Sequence, residues 1–237
     1  MNVTLINHTQ HAQELLIFTK ATRLNMTPGL MDEIMGWPQE KKDSEIAYMS
    51  KTIKSSWEFA DCVFVIEGTT RACAQQITRT RQASYAMQSQ RVLDLRDACV
   101  TNPLPEHAVG HFAFDAVVGQ MMAGYMSLMD AGVAAQDARG ILPMNIQCNL
   151  VAKYNLRNLT DLVKTRKSLR AQGEYSEIAD RMEAAVLAVW PWAAPFFVPD
   201  NLVAIQMLRE VAESLGITTG KGPGWEIAKA IDLLMKA

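Results

Sequence analysis

The sequence predicts an α+β fold, because strand signals and helix signals fall in different parts of the chain. Two short segments, residues 2–6 and residues 62–68, are rich in β-branched residues and have strand character. After residue 105, apolar residues recur mostly at helical spacing. Separate runs of strands and helices are typical of α+β proteins rather than of folds in which the two alternate.

The composition is that of one globular domain covering residues 1–237. The chain is 49% hydrophobic and 20% charged, and no linker rich in proline, glycine and serine divides it. A pI of about 6.1 argues against general nucleic-acid binding. No apolar run reaches membrane-spanning length, no secretory signal is evident, and the four cysteines are widely spaced. We therefore expect a cytoplasmic protein with reduced thiols and no membrane partner.

The N-terminal part is predicted to combine strands with short helices. Apolar spacing predicts a helix over residues 12–23, which the Thr27-Pro28-Gly29 breaker ends, and a short helix over residues 43–50. The strand at 62–68 is followed by a predicted turn at Thr69-Thr70 and a second strand-like segment over residues 71–77. Such a hairpin would present the next loop at the rim of the sheet, where a rigid scaffold commonly holds functional loops.

The C-terminal part is predicted to be helical. The predicted helices cover residues 106–135, 145–169, 177–189 and 201–215, and a short last helix ends at Ala237. Residues 200–237 would therefore form a helical C-terminal extension. Metal binding is not expected, because His107 and His111 have helical spacing but no Glu or Cys partner completes a zinc pattern.

An arginine-rich stretch covers residues 76–91 and is the first candidate for a binding site. Its candidate ligand-binding residues are Arg79, Arg81, Ser89 and Arg91, and Arg71 lies just upstream. Planar guanidinium groups make bidentate contacts with phosphate or carboxylate, so the stretch predicts an anionic ligand. Two alternatives remain open on the charge pattern alone: a solvated basic segment, and a single-stranded nucleic-acid module in which Tyr85 stacks on bases.

Three ordered motifs between residues 55 and 178 resemble those of the flavin-dependent thymidylate synthases. Arg79-Thr80-Arg81, followed after seven residues by Ser89, is similar to the family signature Arg-His-Arg, seven residues, Ser. The segment 138–143, Ala-Arg-Gly-Ile-Leu-Pro, resembles the family's Ala-Arg-x-x-Leu-Pro. The third motif joins Asn155-Leu156-Arg157 to Arg166 and continues through Ala171-Gln172 to Glu177-Ile178, with a short insertion before the last pair.

The resemblance implies both a fold and a reaction. The fold would be a mostly antiparallel sheet flanked by helices, in a homotetramer whose active sites lie between subunits. The reaction would transfer a one-carbon unit from methylenetetrahydrofolate to carbon 5 of a pyrimidine deoxynucleoside monophosphate, most simply dUMP to dTMP. FAD would be the cofactor and NADPH the reductant. The four cysteines lie outside any nucleophile-like loop, which agrees with a family that uses no cysteine adduct.

The resemblance also assigns roles to individual residues. Arg166 would be catalytic, because its charge would stabilise negative charge on the pyrimidine ring as carbon 5 becomes nucleophilic. The substrate-binding set would be Gln76, Arg79, Ser89, Gln90, Arg91, Arg139 and Arg166. The cofactor-binding set would be Ser55, Arg79, Thr80, Arg81, Met87, Asn155, Arg157 and Asp161. On a continuous helix, the eleven residues from Asn155 to Arg166 make about three turns and would put both on one face.

The chain departs from the family pattern at several of these positions. Thr80 replaces the central histidine of the signature, and Ala86-Met87 replaces an Asn-Glu pair whose carboxylate normally contacts substrate and flavin. Asp161 stands where the family has Asn or His, and no histidine is found near Ile53. The alternatives are therefore a relative acting on dCMP, a variant forming a 5-hydroxymethyl product, and an inactive copy, which the retained arginines argue against.

Overall fold

The computed structural model describes residues 1–21, 27–52, 54–167 and 173–198 of the chain. The predicted helix over residues 201–215, the short helix ending at Ala237 and the extension they would form lie outside the described residues. Ile53 and Ala171-Gln172 also lie outside them. Within the described part, no helix is both long and apolar enough to span a bilayer.

The centre of the fold is a four-stranded sheet in which all neighbours are antiparallel. Its strands are β1 (Asn2–His8), β2 (Asp61–Thr70), β3 (Ser84–Met87) and β4 (Gln147–Asn155). Their order across the sheet is β1-β2-β4-β3, so the two longest strands lie in the middle. The predicted α+β class with an antiparallel sheet flanked by helices is confirmed, and the strands predicted at 2–6 and 62–68 are β1 and β2.

Helices cover one face of this sheet and continue beyond its edge. They are α1 (Ala12–Ala21), α2 (Leu30–Met35), α3 (Gln39–Thr52), α4 (Arg71–Ile77), α5 (His111–Asp130), α6 (Ala135–Ala138), α7 (Leu156–Arg166) and α8 (Gly173–Val189). Shorter 3-10 helices cover Lys54–Phe59, Arg139–Ile141 and Pro191–Phe196. Alternate residues of β2, such as Phe64 and Ile66, are fully buried, as the two-residue side-chain period of a strand requires.

The helix expected at 12–23 is α1, described over Ala12–Ala21, and three other predicted helices are confirmed with different limits. The helix expected at 43–50 is α3 and is longer at both ends. The one expected at 106–135 is α5, which begins after Gly110, a residue in the left-handed region with φ 99°. The one expected from residue 177 is α8 and begins at Gly173.

The second strand and the Thr69-Thr70 turn predicted after β2 are wrong. Residues 71–77 form α4, and both threonines are the last residues of β2. Thr70 has extended backbone angles and its side-chain hydroxyl accepts from the backbone N–H of Cys73 at 3.1 Å, which is an N-cap. Cys73, Ala74 and Ile77 are buried at helical spacing, so the apolar residues of this short run fit one helix face.

The helix predicted over residues 145–169 is also wrong in its first half. Residues 147–155 form β4, where inward-facing residues alternate with more exposed ones at a period of two. The change from strand to helix occurs at Asn155, whose side-chain oxygen accepts from the N–H of Asn158 at 2.9 Å. Since Asn155 is the N-cap of α7 and Arg166 its last residue, they lie about 16 Å apart along the helix axis.

The start of α8 is joined to the junction of β2 and α4 by the carboxylate of Glu174. Its Oε1 accepts from the Thr69 hydroxyl at 2.9 Å and from the Thr70 N–H at 2.7 Å. Its Oε2 accepts from the Thr70 hydroxyl at 2.6 Å. Both threonines are buried, so this one carboxylate satisfies donors that would otherwise lack a partner.

We therefore predict that Glu174→Ala lowers the free energy of unfolding by about 3 kcal/mol, because buried donors lose a charged acceptor. Urea unfolding followed by circular dichroism measures the change. The matched control is Glu177→Ala on the same helix, which removes an exposed pair with Arg181 and should cost less than about 1 kcal/mol. Equal losses in the two variants would show that the Glu174 contacts do not hold the fold.

Candidate active site

The candidate site is the open pocket of about 260 Å³ between the loop after α4 and α7, in which predicted site residues meet. It is lined by Thr80, Arg81, Gln82, Asn158, Asp161, Leu162, Thr165 and Arg166. Four residues of the predicted site, namely Thr80, Arg81, Asp161 and Arg166, therefore meet here. Its two walls come from segments that are at least 76 residues apart in sequence. The sheet and α8 must therefore bring these segments together.

The loop that carries the arginine signature is held by hydrogen bonds on both sides. The N–H of Thr80 donates to the carbonyl of Ile77 at 3.1 Å, which turns the chain sharply at the end of α4. The carbonyl of Thr80 accepts from the hydroxyl of Tyr85 at 2.9 Å. On the facing wall, the side-chain amide of Asn158 donates to the carbonyl of Gln82 at 2.6 Å. The loop is thus tied to both β3 and α7.

Arg166 lines the pocket, half-buried, at the C-terminus of α7. Its guanidinium carbon is 4.3 Å from the centroid of the Tyr175 ring, which is a cation–π contact. The Tyr175 side chain is fully buried, and its hydroxyl is 3.4 Å from that of Thr80. Burial raises the pKa of Tyr175, and the nearby charge of Arg166 only partly opposes this, so the phenol stays neutral.

The other predicted cofactor residues lie around this pocket rather than in it. Asn155 is occupied as the N-cap of α7. Arg157, two residues further on, pairs with Glu58 at 2.5 Å, in a partly exposed contact. Ser55 is exposed in the 3-10 helix that contains Glu58. Together they form a polar surface at the N-terminal end of α7, opposite the end that carries Arg166.

The predicted phosphate-binding residues lie outside the pocket, on three separate segments of the chain. Gln76 is in α4 and Arg79 follows it, whereas Ser89, Gln90 and Arg91 follow β3. The Ser89 hydroxyl accepts from the N–H of Arg91 at 3.1 Å, which makes a local turn there. Arg139 begins the 3-10 helix after α6 and donates from Nε to the carbonyl of Gln136 at 3.1 Å. Arg79, Arg81 and Arg91 are exposed, so their charges are available to a ligand.

Met87, which stands where the family has a glutamate, accepts a hydrogen bond from an arginine. Nη1 of Arg71 donates to its sulfur at 3.2 Å. A thioether is a weak acceptor, and a carboxylate at this position would instead form an ion pair. The replacement therefore leaves the Arg71 charge without compensation from residue 87.

Sequence reasoning missed Gln82, Asn158, Leu162, Thr165 and Tyr175. A signal for three of them was present: Asn158 and Thr165 lie three and four residues from Asp161, and Leu162 lies four residues after Asn158 and three before Thr165. Tyr175 had no such signal, since it belongs to another helix and reaches Arg166 only through the fold.

The donor set suits an anionic cofactor such as FAD, although the pocket alone is small. Two guanidinium groups and two side-chain amides line it, and such groups bind phosphates and ring carbonyls. Its volume is below the range of about 300–1,000 Å³ that is common for sites of small ligands and cofactors. By itself the pocket is therefore too small to enclose a dinucleotide cofactor.

Cys62, Cys73 and Cys148 are buried, whereas Cys99 is exposed. Burial raises the pKa of Cys62 and of Cys73 to about 12, so both remain protonated thiols near neutral pH. Burial also raises the pKa of Cys148, despite the charge of Arg71 beside it. Among the described residues, no group of three His, Cys, Asp or Glu side chains could hold a metal ion.

Comparison with known proteins gives one consistent family. Residues 4–192 match the family model described as thymidylate synthase complementing protein. The flavin-dependent thymidylate synthase of Geobacter sulfurreducens is 29% identical over 200 residues, covering 81% of this chain and 84% of that protein. The enzyme of that name from Pyrococcus furiosus is 35% identical over 135 residues, covering 54% of this chain and 55% of that protein.

Solved structures show the same fold. Thymidylate synthase X from Helicobacter pylori, solved with FAD and dUMP, superposes with a TM-score of 0.66 at 19% identity, covering 84% of this chain and 97% of that one. A UMP/dUMP methylase from Streptomyces cacaoi, solved with 5-Br dUMP, has a TM-score of 0.66 at 18% identity, covering 83% and 94%.

Proposed function

This chain belongs to the family of flavin-dependent thymidylate synthases, and from that membership we propose that it methylates carbon 5 of dUMP to form dTMP. The one-carbon donor is methylenetetrahydrofolate, the cofactor is FAD and the reductant is NADPH. The observation that carries the proposal is the pocket in which Arg166 meets the Thr80-Arg81 segment of the signature. Relatives solved with dUMP and 5-Br dUMP support a pyrimidine nucleotide as substrate.

In this proposal Arg166 is the catalytic residue. Its guanidinium donates hydrogen bonds to the pyrimidine ring and stabilises the negative charge that develops there as carbon 5 attacks the one-carbon unit. A half-buried charge held in place before the reaction is effective, because little reorganisation is needed in the transition state. No thiolate is required, which agrees with the raised pKa of Cys62 and Cys73.

The remaining residues bind and orient. Gln76, Ser89, Gln90, Arg91 and Arg139 bind the phosphate and sugar of the nucleotide, and Arg79 lies against the base. Ser55, Arg81, Asn155, Arg157 and Asp161, with Thr80 and Met87, hold FAD. When bound, FAD supplies the reducing equivalents that complete the methyl group. The donors present at these positions are those that bind phosphate and carbonyl oxygens.

The proposal includes a homotetramer in which subunits share active sites. The 20-residue α5 supports it, because its apolar residues are largely uncovered: Phe112 is 82% exposed and Val117 is 55% exposed. Along its length only Tyr125 is buried, among the described residues. An exposed apolar surface of this size is typical of a protein–protein interface. A partner subunit would also supply the walls that the small pocket lacks.

The purified protein is expected to be yellow and to release FAD on denaturation. Addition of dUMP should shift the flavin spectrum, and incubation with methylenetetrahydrofolate and NADPH should give dTMP by mass spectrometry. The same assay with dCMP, and a search for a product heavier by one oxygen, test the other substrate and the 5-hydroxymethyl product. Colourless protein that cannot be reconstituted with FAD would end the enzyme proposal.

Arg166→Ala is expected to reduce kcat by at least about 100-fold, the range seen when a transition-state hydrogen-bond donor is removed. The thermal midpoint should change little. The control is Lys167→Ala, which removes the same charge one residue later, where the side chain pairs with Glu183 of α8 instead of lining the pocket. Near-normal turnover by Arg166→Ala would show that the assignment of Arg166 is incorrect.

Val117→Glu on α5 is expected to shift the protein from a tetramer to smaller species and to weaken FAD retention, because a buried unpaired charge disfavours association. Size-exclusion chromatography with light scattering measures the mass. Val189→Glu, at the end of α8, changes a residue of comparable exposure and should leave the tetramer intact. A tetramer that survives the α5 change would place the interface elsewhere.

A further inference from the structure

Arg166 is held by the face of an aromatic ring. The ring of Tyr175 lies 4.3 Å from the guanidinium carbon, measured to the centroid. Tyr175 is fully buried, so the ring has a single well-packed position. A carboxylate partner would neutralise the guanidinium, whereas a ring face orients it and leaves its positive charge in place.

The ring of Tyr175 is in turn held by a hydrogen-bonded network that includes Thr80, Tyr85 and Tyr154. Its hydroxyl is 3.4 Å from that of Thr80, whose carbonyl accepts from the hydroxyl of Tyr85. The Tyr85 hydroxyl lies 3.0 Å from that of Tyr154, a buried residue of β4. Burial raises the pKa of all three tyrosines, so the network carries no charge that would compete for Arg166.

This arrangement gives Thr80 a specific role in the chain. The central position of the signature supplies a small hydroxyl at the distance where Tyr175 needs a partner. Its backbone carbonyl is bonded to Tyr85 at the same time, so Thr80 connects the signature loop to the tyrosine cluster. The threonine and the buried tyrosine are therefore parts of one unit that also contains Arg166.

We propose that Tyr175 is a positioning residue, which aims the guanidinium of Arg166 at the pyrimidine, and that the Thr80 hydroxyl fixes Tyr175. This inference rests on the proposed function, in which Arg166 polarises the base. The ring does not contact substrate; it acts through Arg166. Its contribution should therefore appear in kcat more than in the KM for dUMP, because a misaligned donor loses transition-state contacts first.

Two substitutions at Tyr175 separate the ring from the hydroxyl. Tyr175→Leu removes the ring face and is expected to lower kcat by about tenfold, the order of one partly desolvated cation–π contact, with a smaller change in KM. Tyr175→Phe keeps the ring face and should recover most of that loss, to within about threefold of the parent protein. Equal losses in both variants, or no loss in Tyr175→Leu, would overturn the proposal.

A measurement without cofactor or substrate tests the same contact. Phenylglyoxal modifies guanidinium groups, and peptide mass spectrometry gives the rate at Arg166 in the ligand-free protein. The rate should rise several-fold in Tyr175→Leu and by a smaller amount in Tyr175→Phe, which keeps the ring face but loses the hydroxyl that faces Thr80. Arg157 on the same helix, which pairs with Glu58, is the internal control and should react at one rate throughout. An unchanged rate at Arg166 in Tyr175→Leu would contradict the inference.

Thr80 provides a second pair of variants in case Tyr175→Leu does not fold. Thr80→Val keeps the shape but removes the hydroxyl, and should raise the phenylglyoxal rate at Arg166; Thr80→Ser keeps the hydroxyl and should not. Equal rates in the two would refute the role of Thr80. Protein that shows these contrasts but binds neither FAD nor dUMP would refute the proposed function alone, whereas active protein without them would refute only this inference.

Discussion

The position of the candidate site depends on the contact between Glu174 and the end of β2. This carboxylate accepts three hydrogen bonds from Thr69 and Thr70, and it thereby holds the first turn of α8 against the start of α4. The next residue, Tyr175, is the one on which Arg166 is stacked. At the other end of α4, the signature loop begins. This contact thus helps to set the distance between the signature loop and Arg166, for which we propose the catalytic role.

The charges of the site are arranged locally and do not follow from the net charge of the chain. The protein has a formal net charge of −2, yet the pocket collects two guanidinium groups and one carboxylate. Exposed pairs such as Arg157 with Glu58 contribute little to stability, and this leaves them free to exchange partners when a ligand binds. The half-buried Arg166 is different, because its neighbour is a neutral ring and its charge is retained.

The small pocket and the exposed apolar side chains of α5 are both explained by the subunit interface of the proposed tetramer. The pocket is smaller than a dinucleotide cofactor needs, and α5 exposes apolar side chains that water does not favour. A subunit interface along α5 would bury those side chains, and in the proposed tetramer it would also bring a second chain to the open side of the site.

The sequence by itself determined the family, the fold class and the residue types of the site, because motif order and spacing survive without coordinates. It could not distinguish strand from helix in short apolar runs: residues 71–77 became α4, and residues 147–155 became the central strand β4. Strand pairing is a long-range choice, and β4 is a strand because β2 and β3 lie on both sides of it. Only the tertiary structure placed Tyr175 beneath Arg166, because the two lie on different helices and meet through packing that no local pattern encodes.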